Sequence, residues 1–135
     1  MIIATRENIY GLDVFSFTSS RHTPYQLIFD DNINSKHTEV SLVNLLGQND
    51  AKYCREIRKA VSSIIFNYLV DKNCTLYFDF KLDKKGVSLL KKFIRWIKLE
   101  RRIKTEAEIT PFKNSHYIEF KLKLDKEYLK SLKVN

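Results

Sequence analysis

Polar and apolar positions alternate along the first third of the chain. "YGLDVFSFTSS", residues 10–20, is rich in β-branched and aromatic residues and runs out in Thr and Ser. In "TPYQLIFDDN", residues 23–32, Tyr25, Leu27 and Phe29 fall on one face before Asp30, Asp31 and Asn32 end the run. A period of two marks a strand with one buried face. "SSRHTP" between them reads as a turn. "HTEVSLVNLL" follows as a third strand, alternating Val40 and Leu42 before Leu45 and Leu46. Three antiparallel strands with short connections are the economical arrangement.

The period then changes. Tyr53, Ile57, Ala60, Val61, Ile64, Ile65 and Tyr68 recur at helical spacing, which predicts a helix over residues 50–70 with Asn49 or Asp50 as its N-cap. "TLYFDFK", residues 75–81, is a strand with Leu76, Phe78 and Phe80 on one side and Tyr77 and Asp79 on the other. A second helix is predicted over 84–99, with an inner stripe of Val87, Leu90, Ile94 and Ile97 flanked by Leu89, Phe93 and Trp96. "EAEITPF" and "HYIEFKLKLD" then read as two strands joined by "KNS". In the second, Ile118, Phe120, Leu122 and Leu124 face inward, and Glu119, Lys121 and Lys123 outward. A short amphipathic tail, "KEYLKSL", adds at most a helical turn. The expected fold is α+β: a largely antiparallel sheet in the order β-β-β-α-β-α-β-β with two helices packed on it. A length of 135 residues suits a single domain over 1–135, with 1–9 and 126–135 expected as loosely attached ends.

Composition narrows the class. A hydrophobic fraction of 44% and an aromatic fraction of 13% support a packed core rather than disorder. Three Gly and two Pro leave no flexible linker. The N-terminal stretch has no signal-peptide pattern and no apolar run is long enough to span a bilayer, so the expected location is cytoplasmic and no membrane partner is expected. Cys54 and Cys74 are then reduced thiols.

Charge is where the chain is unusual. Residues 84–104, "KKGVSLLKKFIRWIKLERRIK", hold nine Lys or Arg and one carboxylate, Glu100. Their formal charge of +8 equals that of the entire chain. Lys84, Lys91, Arg95, Lys98 and Arg102 follow one another at spacings of seven, four, three and four, opposite the apolar stripe, with Lys92 and Arg101 beside them. These seven residues are the candidate partner-binding set. Three readings stay open: a solvated face whose stems cover apolar edges, a docking surface for an acidic protein, and a nucleic-acid surface aided by Trp96 and Tyr77.

Other chemistry is thin. His22, His37 and His116 are scattered, and no HExxH, CxxC or paired-carboxylate spacing occurs, so no metal is expected. No nucleophile elbow is present, and Gly47 and Gly86 stand alone where a phosphate loop needs several glycines. Asp79 and Asp83 are the carboxylates placed to act as bases, though Asp83 suits a helix cap better.

Tyr10, Phe15, Phe17, Thr18, Tyr25, Phe29, Phe93 and Trp96 make the chain resemble a family of small Bacteroidetes-type proteins of unknown function. These are mostly core positions, so the resemblance implies a fold and no activity. The element order is also similar to the later core of GNAT-type acyltransferases. That likeness implies coenzyme A pyrophosphate held on backbone N–H groups at the start of the first helix, by a Q/R-x-x-G-x-G/A motif. "LLGQNDAK", residues 45–52, supplies Gly47 but no second glycine, and Asp50 opposes phosphate. The family's tyrosine acid would fall on Leu90 or Lys91, and the two helices expected before the meander are missing. The expectation from sequence is therefore a small soluble bacterial protein that acts as a non-catalytic interaction module. It would use no cofactor and dock an acidic partner through its basic helix. A coenzyme A-binding GNAT-like protein and a nucleic-acid-binding module are the alternatives.

Overall fold

The computed structural model describes residues 3–20, 22–31, 38–45, 54–81, 83–112 and 115–133. Seven strands and three helices lie among them: β1 Thr5–Ile9, β2 Leu12–Thr18, β3 Pro24–Asp31, β4 Thr38–Asn44, α1 Cys54–Lys72, β5 Leu76–Lys81, α2 Lys84–Lys98, β6 Ile103–Phe112, β7 Ser115–Leu124 and α3 Lys126–Lys133. The chain divides into two compact units, Met1–Asn67 and Tyr68–Asn135.

In the first unit, β1 to β4 form an antiparallel meander in chain order. The alternation read from β3 is realised: Tyr25, Leu27 and Phe29 are buried, and Leu27 and Phe29 are fully enclosed. Phe17 stacks on its register partner Tyr25 at 5.5 Å, and Phe15 meets Phe29 edge-on at 5.3 Å, so aromatic pairs fix the register of β2 on β3. Ile57, Val61, Ile64 and Ile65 form the buried stripe of α1 in this unit. Its expected N-cap, Asn49 or Asp50, lies outside the described residues. The last turn of α1 belongs to the second unit, where Asn73 ends the helix in the left-handed region, φ 47°, donating its N–H to the Leu69 carbonyl at 2.9 Å.

In the second unit, β7 lies between β5 and β6, antiparallel to both. Leu76, Phe78, Phe120 and Leu122 are buried on one face. Helix α2 packs on that face through Phe93, whose ring lies 4.7 Å from Phe78 and 5.8 Å from Phe120. Asp83 stands at the N-cap position of α2, its carbonyl accepting the Val87 N–H at 2.9 Å.

Two features correct the expected order and the expected pair of helices. The meander begins one strand earlier, because the chain reverses at Tyr10 (φ 50°) and Gly11 (φ 84°). Two successive positive φ values make the two-residue type I′ turn that closes the Ile9–Leu12 pair. All of β1 is exposed, so it carries no alternation to read. Arg6 holds this edge, pairing with Asp13 at 3.3 Å and lying 5.2 Å over Phe15. At the other end the amphipathic tail is a third helix. Asp125 caps it, with Oδ1 accepting the Tyr128 N–H at 3.1 Å. The α+β class holds, with an extra strand and an extra helix.

Candidate functional site

The sequence placed its candidate surface on α2, and four of those cations share one side of it. Lys84, Lys91, Arg95 and Lys98 are all exposed, at spacings of seven, four and three that keep them on one helical side. Inward, Phe93 meets Phe78 and Phe120, and Ile97 is buried. None of the four cations forms an ion pair with a described residue, whereas Arg6, Arg102 and Lys123 each do. The side chain of Lys92 lies outside the described ones.

Arg101 and Arg102 do not extend this row. The helix ends at Lys98, and a turn follows in which Glu100 N–H reaches the Ile97 carbonyl at 3.0 Å and Ile103 N–H the Glu100 carbonyl at 3.2 Å. Arg102 bends back onto Glu100 in a two-pronged pair: Nε to Oε1 at 2.7 Å and Nη2 to Oε2 at 2.8 Å. Hydrogen bonds from Arg102 hold the Glu100 carboxyl below its usual range, and the same bonds raise Arg102. Arg101 instead lies over the Tyr128 ring of α3, at 5.5 Å. Spacing alone missed both partners. The signal for one was present: Glu100 is the sole carboxylate of the basic segment.

A second group of polar side chains sits on β5 and β7. Asp79 pairs in register with Glu119, and Tyr77 with Lys121, on the strand positions that alternate with Phe78 and Phe120. Asp79 keeps an exposed surface, yet partial loss of water around its carboxyl, and then the Glu119 charge, raise it above the usual carboxylate range. Asp79 therefore takes up a proton more readily than a free aspartate.

The stretch compared in sequence with the GNAT coenzyme motif lies between β4 and α1 in the chain. Residues 46–53, with Gly47 and Asp50, lie outside the described ones. Beside it, Glu56 in the first turn of α1 is already engaged: its Oε2 accepts the Ser20 N–H at 3.3 Å and the Ser20 hydroxyl at 3.0 Å. No group of three His, Cys, Asp or Glu able to hold a metal occurs among the described residues. Nor is any described helix long and apolar enough to cross a membrane.

Comparison with solved structures finds a similar fold in acetyltransferases. A chimera of the spermidine N-acetyltransferase SpeG from Vibrio cholerae and hSSAT matches over 89% of this chain and 70% of its own, with a TM-score of 0.57 and 9% identity. Mutant forms of the spermidine/spermine N-acetyltransferase SpeG from Vibrio cholerae match over 89% and 70%, with a TM-score of 0.51 and 12% identity. The fold is GNAT-like. This likeness overturns the expectation of a non-catalytic module docking an acidic protein, because the GNAT-like structures it resembles are enzymes. No protein-family model matches the sequence, and no curated protein does. The resemblance to a Bacteroidetes-type family thus gains no support, while the topological likeness does.

Proposed function

We propose that the chain is a diverged GNAT-type protein that binds an acyl-coenzyme A and passes the acyl group to an amine. The observation that carries this reading is the match of 89% of the chain to spermidine N-acetyltransferases. Backbone fit supports the binding half. A 19-residue helix, α1, follows β4 in the chain, and the N–H groups of a helix N-terminus suit a pyrophosphate. With Glu56 engaged by Ser20, the carboxylate in its first turn is already hydrogen-bonded.

The chemical half differs from the family pattern. Neither Leu90 nor Lys91 carries a phenol. When bound, the coenzyme supplies a thioester whose C–S bond breaks as the amine nitrogen forms the new C–N bond. A thiol would leave readily as its thiolate, so the acid missing at Leu90 and Lys91 would not be essential to departure of the coenzyme.

Thermal unfolding with acetyl-coenzyme A tests the binding half. A ligand at a hundred times its Kd stabilises by about 2.7 kcal/mol, which for a chain of this size is roughly 8–12 °C. A flat melting curve at millimolar cofactor refutes the reading. Thiol release with spermidine and with neutral amines tests the transfer.

A further inference from the structure

Acyl transfer to a small amine gives no reason for the exposed cations of α2. We propose that Lys84, Lys91, Arg95 and Lys98 form a sequence-independent contact surface for the phosphate backbone of a nucleic acid. From Lys84 to Lys98 the row spans 14 helical steps, roughly 21 Å at the α-helical rise. Its four cations have no described ion-pair partner, so a polyanion meets them without breaking an existing pair. Two other positive residues of the segment are directed elsewhere, Arg102 to Glu100 and Arg101 to Tyr128.

The chemistry of the row selects its occupant. A protein partner needs a buried aromatic or aliphatic anchor at the centre of its interface, and this row presents only ammonium and guanidinium groups. A membrane-surface helix buries its apolar face in lipid. In α2 the apolar side is taken by Phe93 against Phe78 and Phe120. A phosphodiester chain asks only for regularly placed positive charge, and binds it by releasing counterions.

Fluorescence anisotropy with a labelled 30-base-pair duplex of random sequence, titrated between 50 and 200 mM salt, reads this directly. Four phosphate contacts give a slope of about −3.6 in log K against log salt, an affinity loss of roughly 100-fold across that range. Lys91→Gln, Arg95→Gln and Lys98→Gln together should abolish most of the binding and flatten the slope. Lys72→Gln, Lys126→Gln and Lys130→Gln, an equal change in net charge at exposed positions outside α2, should leave it within about twofold. Three results would overturn the proposal: no binding at 50 mM salt, equal losses in both triple variants, or displacement of the duplex by millimolar coenzyme A. Preferential binding to vesicles containing phosphatidylserine, with none to the duplex, would overturn it also. Because the readout uses no acyl donor, it stands or falls apart from the acyltransferase reading.

Discussion

Replacing Phe93 by Ala isolates what α2 contributes to the second unit. The ring touches Phe78 at 4.7 Å, tilted by 43°, and Phe120 at 5.8 Å, edge-on at 71°. Truncating a fully buried Phe costs about 3–5 kcal/mol. Phe93 is half-buried, so the area lost is smaller, but two aromatic pairs go with it, each about 0.5–1.5 kcal/mol beyond burial. The expected loss is roughly 2–3 kcal/mol, or about 8–12 °C in Tm. Trp96 is the chain's single tryptophan and lies three residues along the same helix, so its fluorescence reports α2 directly. In urea, with a slope near 1.5 kcal/mol per molar, the midpoint should fall by about 1.3–2 M. Arg95→Ala, on the exposed side of the helix, should stay within about 0.5 kcal/mol. A double-mutant cycle with Phe78→Leu should return a coupling of about 0.5–1.5 kcal/mol. A loss below about 1 kcal/mol for Phe93→Ala, or no coupling to Phe78, would refute the packing assigned here.

Two further outcomes follow from local features. Tyr10→Asn keeps the type I′ turn while placing at φ 50° a residue that tolerates the left-handed region. It should raise stability by about 0.5–1 kcal/mol, seen as a higher melting temperature; an unchanged melt would count against the turn. The carboxyls of Asp79 and Glu100 should give opposite pH signatures. Asp79 holds its proton more tightly in the folded chain than when unfolded, so its contribution falls as pH rises from about 4 through its raised value. Asp79→Asn should therefore melt higher than wild type at pH 7, with no advantage at pH 3. Glu100, held low by Arg102, adds stability that is present above its usual range and lost as pH falls through its folded value. Glu100→Gln should melt lower than wild type at pH 7 and converge with it in acid.

What could be read from the chain beforehand depends on whether a residue's neighbours in sequence decide its environment. Leu27 and Phe29, or Phe120 and Leu122, sit in strands whose every second residue is apolar, and all four are buried. The stripe Ile57, Val61, Ile64, Ile65 was legible for the same reason. Strand β1 was not, since "TRENI" is exposed throughout and owes its conformation to pairing with β2. Only its turn left a trace, the glycine at position 11. Helix α3 has eight residues, below the length at which periodicity speaks, and depends on the Asp125 cap and on Arg101 over Tyr128. The basic segment shows the limit most clearly. Spacing extended the row to Arg102, but a spacing argument assumes the helix continues, and here it stops at Lys98. Past that point Glu100 captures Arg102 through contacts no helical period encodes.

The two sides of α2 thus answer to different causes. Helix α2 lies between β5 and β6 in the chain, Phe93 seats it on Phe78 and Phe120, and Ile97 is buried. Solubility needs a polar outer side, which mixed charges would provide as well as uniform ones. Uniform charge is the costlier choice, because like charges three and four residues apart repel along the helix. Lys91, Arg95 and Lys98 accept that repulsion with no carboxylate between residues 84 and 99 to relieve it. If repulsion is the cost of keeping the row free for a polyanion, duplex DNA should raise the melting temperature of the wild-type chain and not that of the triple Gln variant. The same substitutions should make the unliganded chain no less stable than wild type, and slightly more stable at low salt, where repulsion is least screened.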